Sequence, residues 1–138
     1  MTRARDIMQP SVACVGSTDS AADAARRMSE LQVGALPICG EDGRLKGMIT
    51  DRDIVTKVVA RGHDPAHVRA GELAQGEAVT IGADEDTTEL LSTMADHQVR
   101  RVPVIDGHTL VGIIAQADIA RALPDQRVGD LVAAVSFD

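Results

Sequence analysis

Aromatic side chains are almost missing from this 138-residue chain, which has one phenylalanine and neither tryptophan nor tyrosine. Nucleic-acid bases would find almost nothing to stack on. Charge argues the same way. Residues 1–62 carry nine Lys/Arg and eight Asp/Glu, whereas residues 63–138 carry five and thirteen, so the formal charge of -7 lies in the second part. Such a surface repels phosphates rather than releasing their counterions, and direct nucleic-acid binding is not expected. No apolar run approaches the roughly 18 residues that span a bilayer, and the start MTRARDIMQP lacks the apolar stretch of a secretory signal. The expectation is a cytoplasmic protein that does not bind membranes.

Cysteine is scarce as well. Cys14 and Cys39 are the only two, with no CxxC and no neighbouring His to complete a tetrahedral zinc set. Two buried thiols are the simple reading. If both lie on adjacent strands, about 4.8 Å apart, a disulfide becomes geometrically possible, since bridges accept Cα separations of roughly 4.4 to 6.8 Å; cytosolic reductants oppose it. Catalytic signatures are missing too: there is no GxSxG, no P-loop and no HExxH, so nothing in the chain argues for an enzyme.

What the chain does contain is ordinary globular material, 44% apolar and 25% charged, written twice. ARDIM at 4–8 aligns with AGELA at 70–74, Val15 with Ile81, Met28 with Met94, and ALPI at 35–38 with RVPV at 101–104, all at one offset. The offset drops by one for GMITDRDIV at 47–55 against GIIAQADIA at 112–120, because the turn CGEDGRLKG is a residue longer than DGHTLVG. Turns are where chains absorb such changes. Two structural units are implied, too few for a solenoid.

Each copy reads strand, helix, strand, strand, helix. VACV at 12–15 and AVTI at 78–81 are short and β-prone. Thr18 and Asp84 are placed to cap the helices that follow, whose apolar faces carry Ala21, Ala24, Ala25, Met28 and Leu31 in one copy and Leu90, Leu91 and Met94 in the other. ALPIC with LKGMIT, and RVPVI with LVGII, are expected hairpins; DRDIVTKVVA and QADIARAL are expected helices. The fold class is therefore α+β (α/β), with two β-α-β-β-α repeats packed about a pseudo-twofold axis, because a unit of roughly 60 residues is marginal alone. The boundaries are 1–62 for the first repeat, 63–69 for a linker, 70–122 for the second repeat and 123–138 for a helical tail. In the linker Asp64 and Pro65 read as a cap and first helical residue. His63 and His67, four apart, could suit a metal, but that local reading makes a solvated turn the better explanation. The tail places Val128, Leu131, Val132 and Val135 at amphipathic spacing, either as a closing helix or as part of a subunit interface.

The phrases ARDIM, GALPICG, GMITDRDIV, HQVRRVPVI and ADIARALP, in that order, resemble the tandem CBS-domain pair, or Bateman module, from about residue 4 to residue 122. With so little outside the module, the chain is similar to the small stand-alone bacterial members, the hypoxic response protein family among them. The resemblance implies a homodimer and a regulatory role without catalysis. It also implies ligands held in clefts between repeats: AMP, ADP, ATP, S-adenosylmethionine or another adenosyl compound, with no cofactor required.

In that family the Thr or Ser and the Asp of T-x-x-D grip the ribose, which corresponds here to Thr50 and Asp53. A carboxylate facing a vicinal diol makes charge-assisted hydrogen bonds of about 1.5 to 3 kcal/mol each. Asp118 keeps the carboxylate in the second copy, but Ala115 replaces the hydroxyl. That cleft is expected to bind more weakly. The competing reading has Asp51, Asp53 and Asp118 merely capping helices. Arg101, two places before Pro103, matches a basic residue that meets ligand phosphate in the family; its counterpart is Ala35. A solvated guanidinium beside carboxylates is the plain alternative for Arg100 and Arg101. Val15, Leu36, Pro37, Ile38 and Ile49 would line the adenine face, although buried aliphatics are core residues first. The rival function is a ligand-free dimeric interaction or stress-response protein, one that a Cys14 to Cys39 bridge would stabilise.

Overall fold

The structure is a computed structural model that describes residues 2–10, 13–74, 78–123 and 129–130. In chain order the elements are α1 (Ala4–Ile7), β1 (Gln9–Pro10), β2 (Val15–Gly16), α2 (Ala21–Leu31), β3 (Ala35–Cys39), β4 (Leu45–Thr50), α3 (Asp51–Ile54), α4 (Ala70–Leu73), β5 (Ile81–Gly82), α5 (Thr87–His97), β6 (Arg101–Asp106), β7 (Thr109–Ala115) and α6 (Gln116–Ala122). A wider-than-α turn at Val55–Val59 continues α3, and a short turn at Pro65–His67 lies in the linker, with Asp64 accepting from Ala66 N as its cap. The mixed α/β class and the doubled β-α-β-β-α order are both present. Most of the expected closing helix at 123–138 lies outside the described residues.

The chain divides into two compact units, Ala13–Ala78 and Val79–Asp138 joined by Met1–Val12. In the first, β2, β3 and β4 form a sheet in that order; β2 pairs parallel with β3, and β3 pairs antiparallel with β4. In the second, the order is β1, β7, β6, β5, with β5 and β6 parallel and the remaining pairs antiparallel. Both hairpins slip register at matching places, between Ile38 and Cys39 and between Val104 and Ile105. The duplication thus extends to backbone irregularities.

These units differ from the sequence repeats in one respect: the leading segment of each copy packs with the other copy. Ala4 is fully buried among Ile81, Leu90, Met94, Val104, Ile114 and Ile119, while Ala70 and Leu73 are buried among Val15, Leu36, Ile38, Ile49 and Val58. The backbone bonds that seat the two leaders are equivalent. Ala4 N donates to Glu85 O at 2.9 Å and Arg5 N to Ala83 O at 3.0 Å; Ala70 N donates to Asp19 O at 2.7 Å and Gly71 N to Ser17 O at 3.0 Å. This placement accounts for the Gly that opens GMIT and GIIA. A Cβ on Gly47 would lie 2.8 Å from Ala74 Cβ, and one on Gly112 would lie 2.9 Å from Gln9 O and strike Met8 Sδ. Only a bare strand lets the borrowed leader come so close.

The helix caps lie two residues later than expected. Ser20 Oγ accepts from Asp23 N at 3.0 Å and Asp86 Oδ1 from Glu89 N at 2.9 Å. Asp84 instead faces the borrowed leader, accepting from Arg5 Nε at 2.9 Å, and this guanidinium holds its carboxyl below the usual range. Both long helices end on left-handed glutamines, Gln32 (φ 56°) and Gln98 (φ 53°), where glycine is the usual residue.

Candidate functional site

Thr50 ends β4 and starts α3, so strand and helix meet at the residue singled out by its motif. Its Oγ1 accepts from Asp53 N at 3.0 Å, and Asp53 Oδ2 accepts from Thr50 N at 3.0 Å, forming a reciprocal capping box. Lys57, one turn on, brings Nζ to 3.0 Å from Asp53 Oδ1. The Asp53 side chain is still 17% exposed. Capping and ligand contact are therefore compatible: the box orients the carboxylate, and a group with about four lone-pair sites has acceptor capacity left beyond its two described contacts.

The equivalent turn in the other unit is built differently. Ala115 has no acceptor, so only one arm of the box remains, Ala115 N donating to Asp118 Oδ2 at 2.7 Å. Asp118 Oδ1 accepts from Gln9 Nε2 at 2.8 Å and also from Arg121 Nη2. The residue is 6% exposed. Cross-strand register sets Arg101 opposite Ala115, and Ala35 opposite Thr50. Arg101 thus belongs to the turn that lacks the hydroxyl, and neither unit on its own brings it together with Thr50 and Asp53.

Val15, Leu36, Pro37, Ile38 and Ile49, the expected adenine-facing residues, are all buried in the core of their unit. Asp51 is exposed and accepts from Arg52 N at 2.8 Å, a local cap. Cys14 precedes β2 and Cys39 ends β3, and these strands are neighbours; both are free thiols, and Cys39 is buried. Burial, and then the Cys14 thiol, push Cys39 up to about 12. His67 Nδ1 lies 3.3 Å from Asp64 Oδ2, and among the described residues no group of three His, Cys, Asp or Glu is placed to hold a metal ion. No helix among them is long and apolar enough to cross a membrane.

Three contributors escaped the sequence reading: Lys57, Arg121 and Gln9. The first two stand four and three residues after their aspartates, the spacing at which helical side chains meet. For Gln9 the one available signal was that Gln75 recurs at the corresponding position of the second copy.

The family model of the CBS domain matches residues 4–60 and again 70–125. The chain belongs to the CBS-domain family. Hypoxic response protein 1 of Mycobacterium tuberculosis is 52% identical over 135 residues, covering 98% of this chain and 94% of that protein. Among solved structures, Hypoxic Response Protein I with two coordinated zinc ions shares 54% identity over 89% of this chain and 100% of that one, with a TM-score of 0.83. CBSX2 in complex with AMP, at 21% identity, 88% and 96% coverage and a TM-score of 0.76, shares the fold. The CBS pair expected from ARDIM, GMITDRDIV and their echoes is thereby established.

Proposed function

We propose that this CBS pair is a non-catalytic regulatory module that binds an adenosyl ligand, with Thr50 and Asp53 as the ribose-binding residues. The observation that carries the reading is the state of Asp53: an oriented, partly accessible carboxylate with two described contacts on a group that offers about four lone-pair sites. The AMP complex of CBSX2 supports the ligand class at the level of the fold. Arg101 and Asp118 form a second, weaker position. Val15, Leu36, Pro37, Ile38 and Ile49, which are buried, would back the site as packed core and could face an adenine only if the surface above them opened. The module works as a cytoplasmic homodimer, and a second copy would cover the unusually exposed Leu31, Val55 and Val59 of the Ala13–Ala78 unit.

A thermal-shift panel of AMP, ADP, ATP and S-adenosylmethionine tests this. A ligand at 100 times its dissociation constant adds about 2.7 kcal/mol, an easily measured shift. Asp53→Ala should cut the response by about half or more. A dimeric stress-response protein that binds no ligand is the second reading, favoured by two free thiols, Cys14 and Cys39, carried at neighbouring strands. A flat panel together with a stable dimer and no free thiols would support it instead. The zinc of the hypoxic response relative belongs on the same panel, as a metal whose effect would point away from adenosyl compounds.

A further inference from the structure

Asp118 is the more deeply buried of the two motif aspartates, and among the described residues it accepts three hydrogen bonds. Two of these donors belong to its own turn and helix, Ala115 N and Arg121. The third arrives from 109 residues away: Gln9, on the borrowed leader, held beside β7 by pairing with Ile113. An amide N–H on a carboxylate oxygen at 2.8 Å makes the same bond that a ribose hydroxyl would make. Gln9 is itself exposed, so its side chain has solvent into which it can swing.

We infer that Gln9 is an internal gate, a side chain that occupies the ligand's place on Asp118 and keeps the second position closed until it is displaced. This rests on reading Asp118 as the counterpart of Asp53. A carboxylate has about four acceptor sites, and three are taken here, so a vicinal diol cannot engage both oxygens without removing a donor. Arg121 is a charged neighbour on the same helix, and Ala115 N is fixed backbone. Arg121 is exposed as well, its side chain at 65%, but its charge ties it to the carboxylate; Gln9 is the neutral member, and its departure leaves a carboxylate in a turn whose cross-strand neighbour is Arg101, a cation suited to a ligand phosphate. The register counterpart Gln75 lies outside the described residues.

The test uses the full-length chain and AMP as probe. Wild type, Gln9→Ala and the milder Gln9→Asn, which shortens the reach but keeps an amide, are titrated calorimetrically and checked for an intact thermal transition. In parallel, carbodiimide coupling of an amine, read by mass spectrometry, reports access to the Asp118 carboxylate without any ligand. The expected results are one AMP per wild-type chain and two per Gln9 variant, with Asp118 labelling raised several-fold. In an Asp53→Ala background the Gln9 variants should still bind one AMP. If wild type and Gln9 variants both bind one, the gate is refuted while the Thr50 and Asp53 site stands. If only the variants bind, the gate stands and that site assignment falls. Binding by none refutes both, and unchanged labelling of Asp118 refutes the gate whatever AMP does.

Discussion

Leu73 lies in the second sequence copy but is buried in the core of the first unit, which makes Leu73→Ala a direct probe of the leader exchange. The side chain is nearly inaccessible and shares its cluster with Val15, Leu36, Ile38, Ile49 and Val58. Removing three carbon atoms forfeits about 2.4 kcal/mol of transfer free energy at roughly 0.8 kcal/mol per group. The cavity left behind raises the expected loss to about 2 to 5 kcal/mol. That is a large part of the roughly 3 to 10 kcal/mol that holds a domain of this unit's size together. Urea denaturation of the full chain measures the loss, and hydrogen exchange locates it. Protection should fall at Ala35–Cys39 and Leu45–Thr50, the strands of β3 and β4, and be retained at β6 and β7. A loss below about 1 kcal/mol, or one felt first at Arg101–Asp106, would refute the exchange.

Asp53→Ala should weaken AMP binding roughly 10- to 150-fold, the equivalent of one charge-assisted bond of about 1.5 to 3 kcal/mol; Asp53→Asn, which still accepts from Thr50 N, should keep stability while losing most of that affinity. Gln32→Gly and Gln98→Gly should each raise stability by about 0.5 to 1 kcal/mol, because relief of left-handed strain of about 1 to 2 kcal/mol outweighs the added freedom of glycine in the unfolded chain. Folding favours the neutral Cys39 thiol, whose pKa rises from an ordinary 9.0 to about 12. Its stabilising contribution is therefore full below pH 9 and is lost as pH climbs towards 12. Iodoacetamide at pH 8 should label Cys14 in the native protein and spare Cys39 until it unfolds.

Much of this architecture was legible because duplication is self-checking. Val15 against Ile81 and Pro37 against Pro103 hold one register over half the chain, and the hairpins and the Thr50 turn follow from it. The caps were misplaced because Thr18 and Ser20, and Asp84 and Asp86, are alternative capping residues two apart; the chain makes a further turn first, with Gly16 N donating to Asp19 Oδ2 at 2.8 Å. The leader exchange was invisible for a deeper reason. Apolar spacing in ARDI or AGEL says that Ala4, Ala70 and Leu73 are buried, not which copy buries them. The recurrence of Gln9 as Gln75 marks the position but not its partner, since Asp118 is brought to it by the exchange itself. The left-handed Gln32 and Gln98 carry no glycine to announce them.

The most direct measurement is a crystal structure of the wild-type protein soaked with AMP. The expected result is ribose hydroxyls within hydrogen-bond distance of the Asp53 carboxylate, with Thr50 alongside and Gln9 still on Asp118. A ribose seated on Asp118 while Gln9 remains in place, or crystals that take up no AMP at concentrations saturating other CBS pairs, would contradict it.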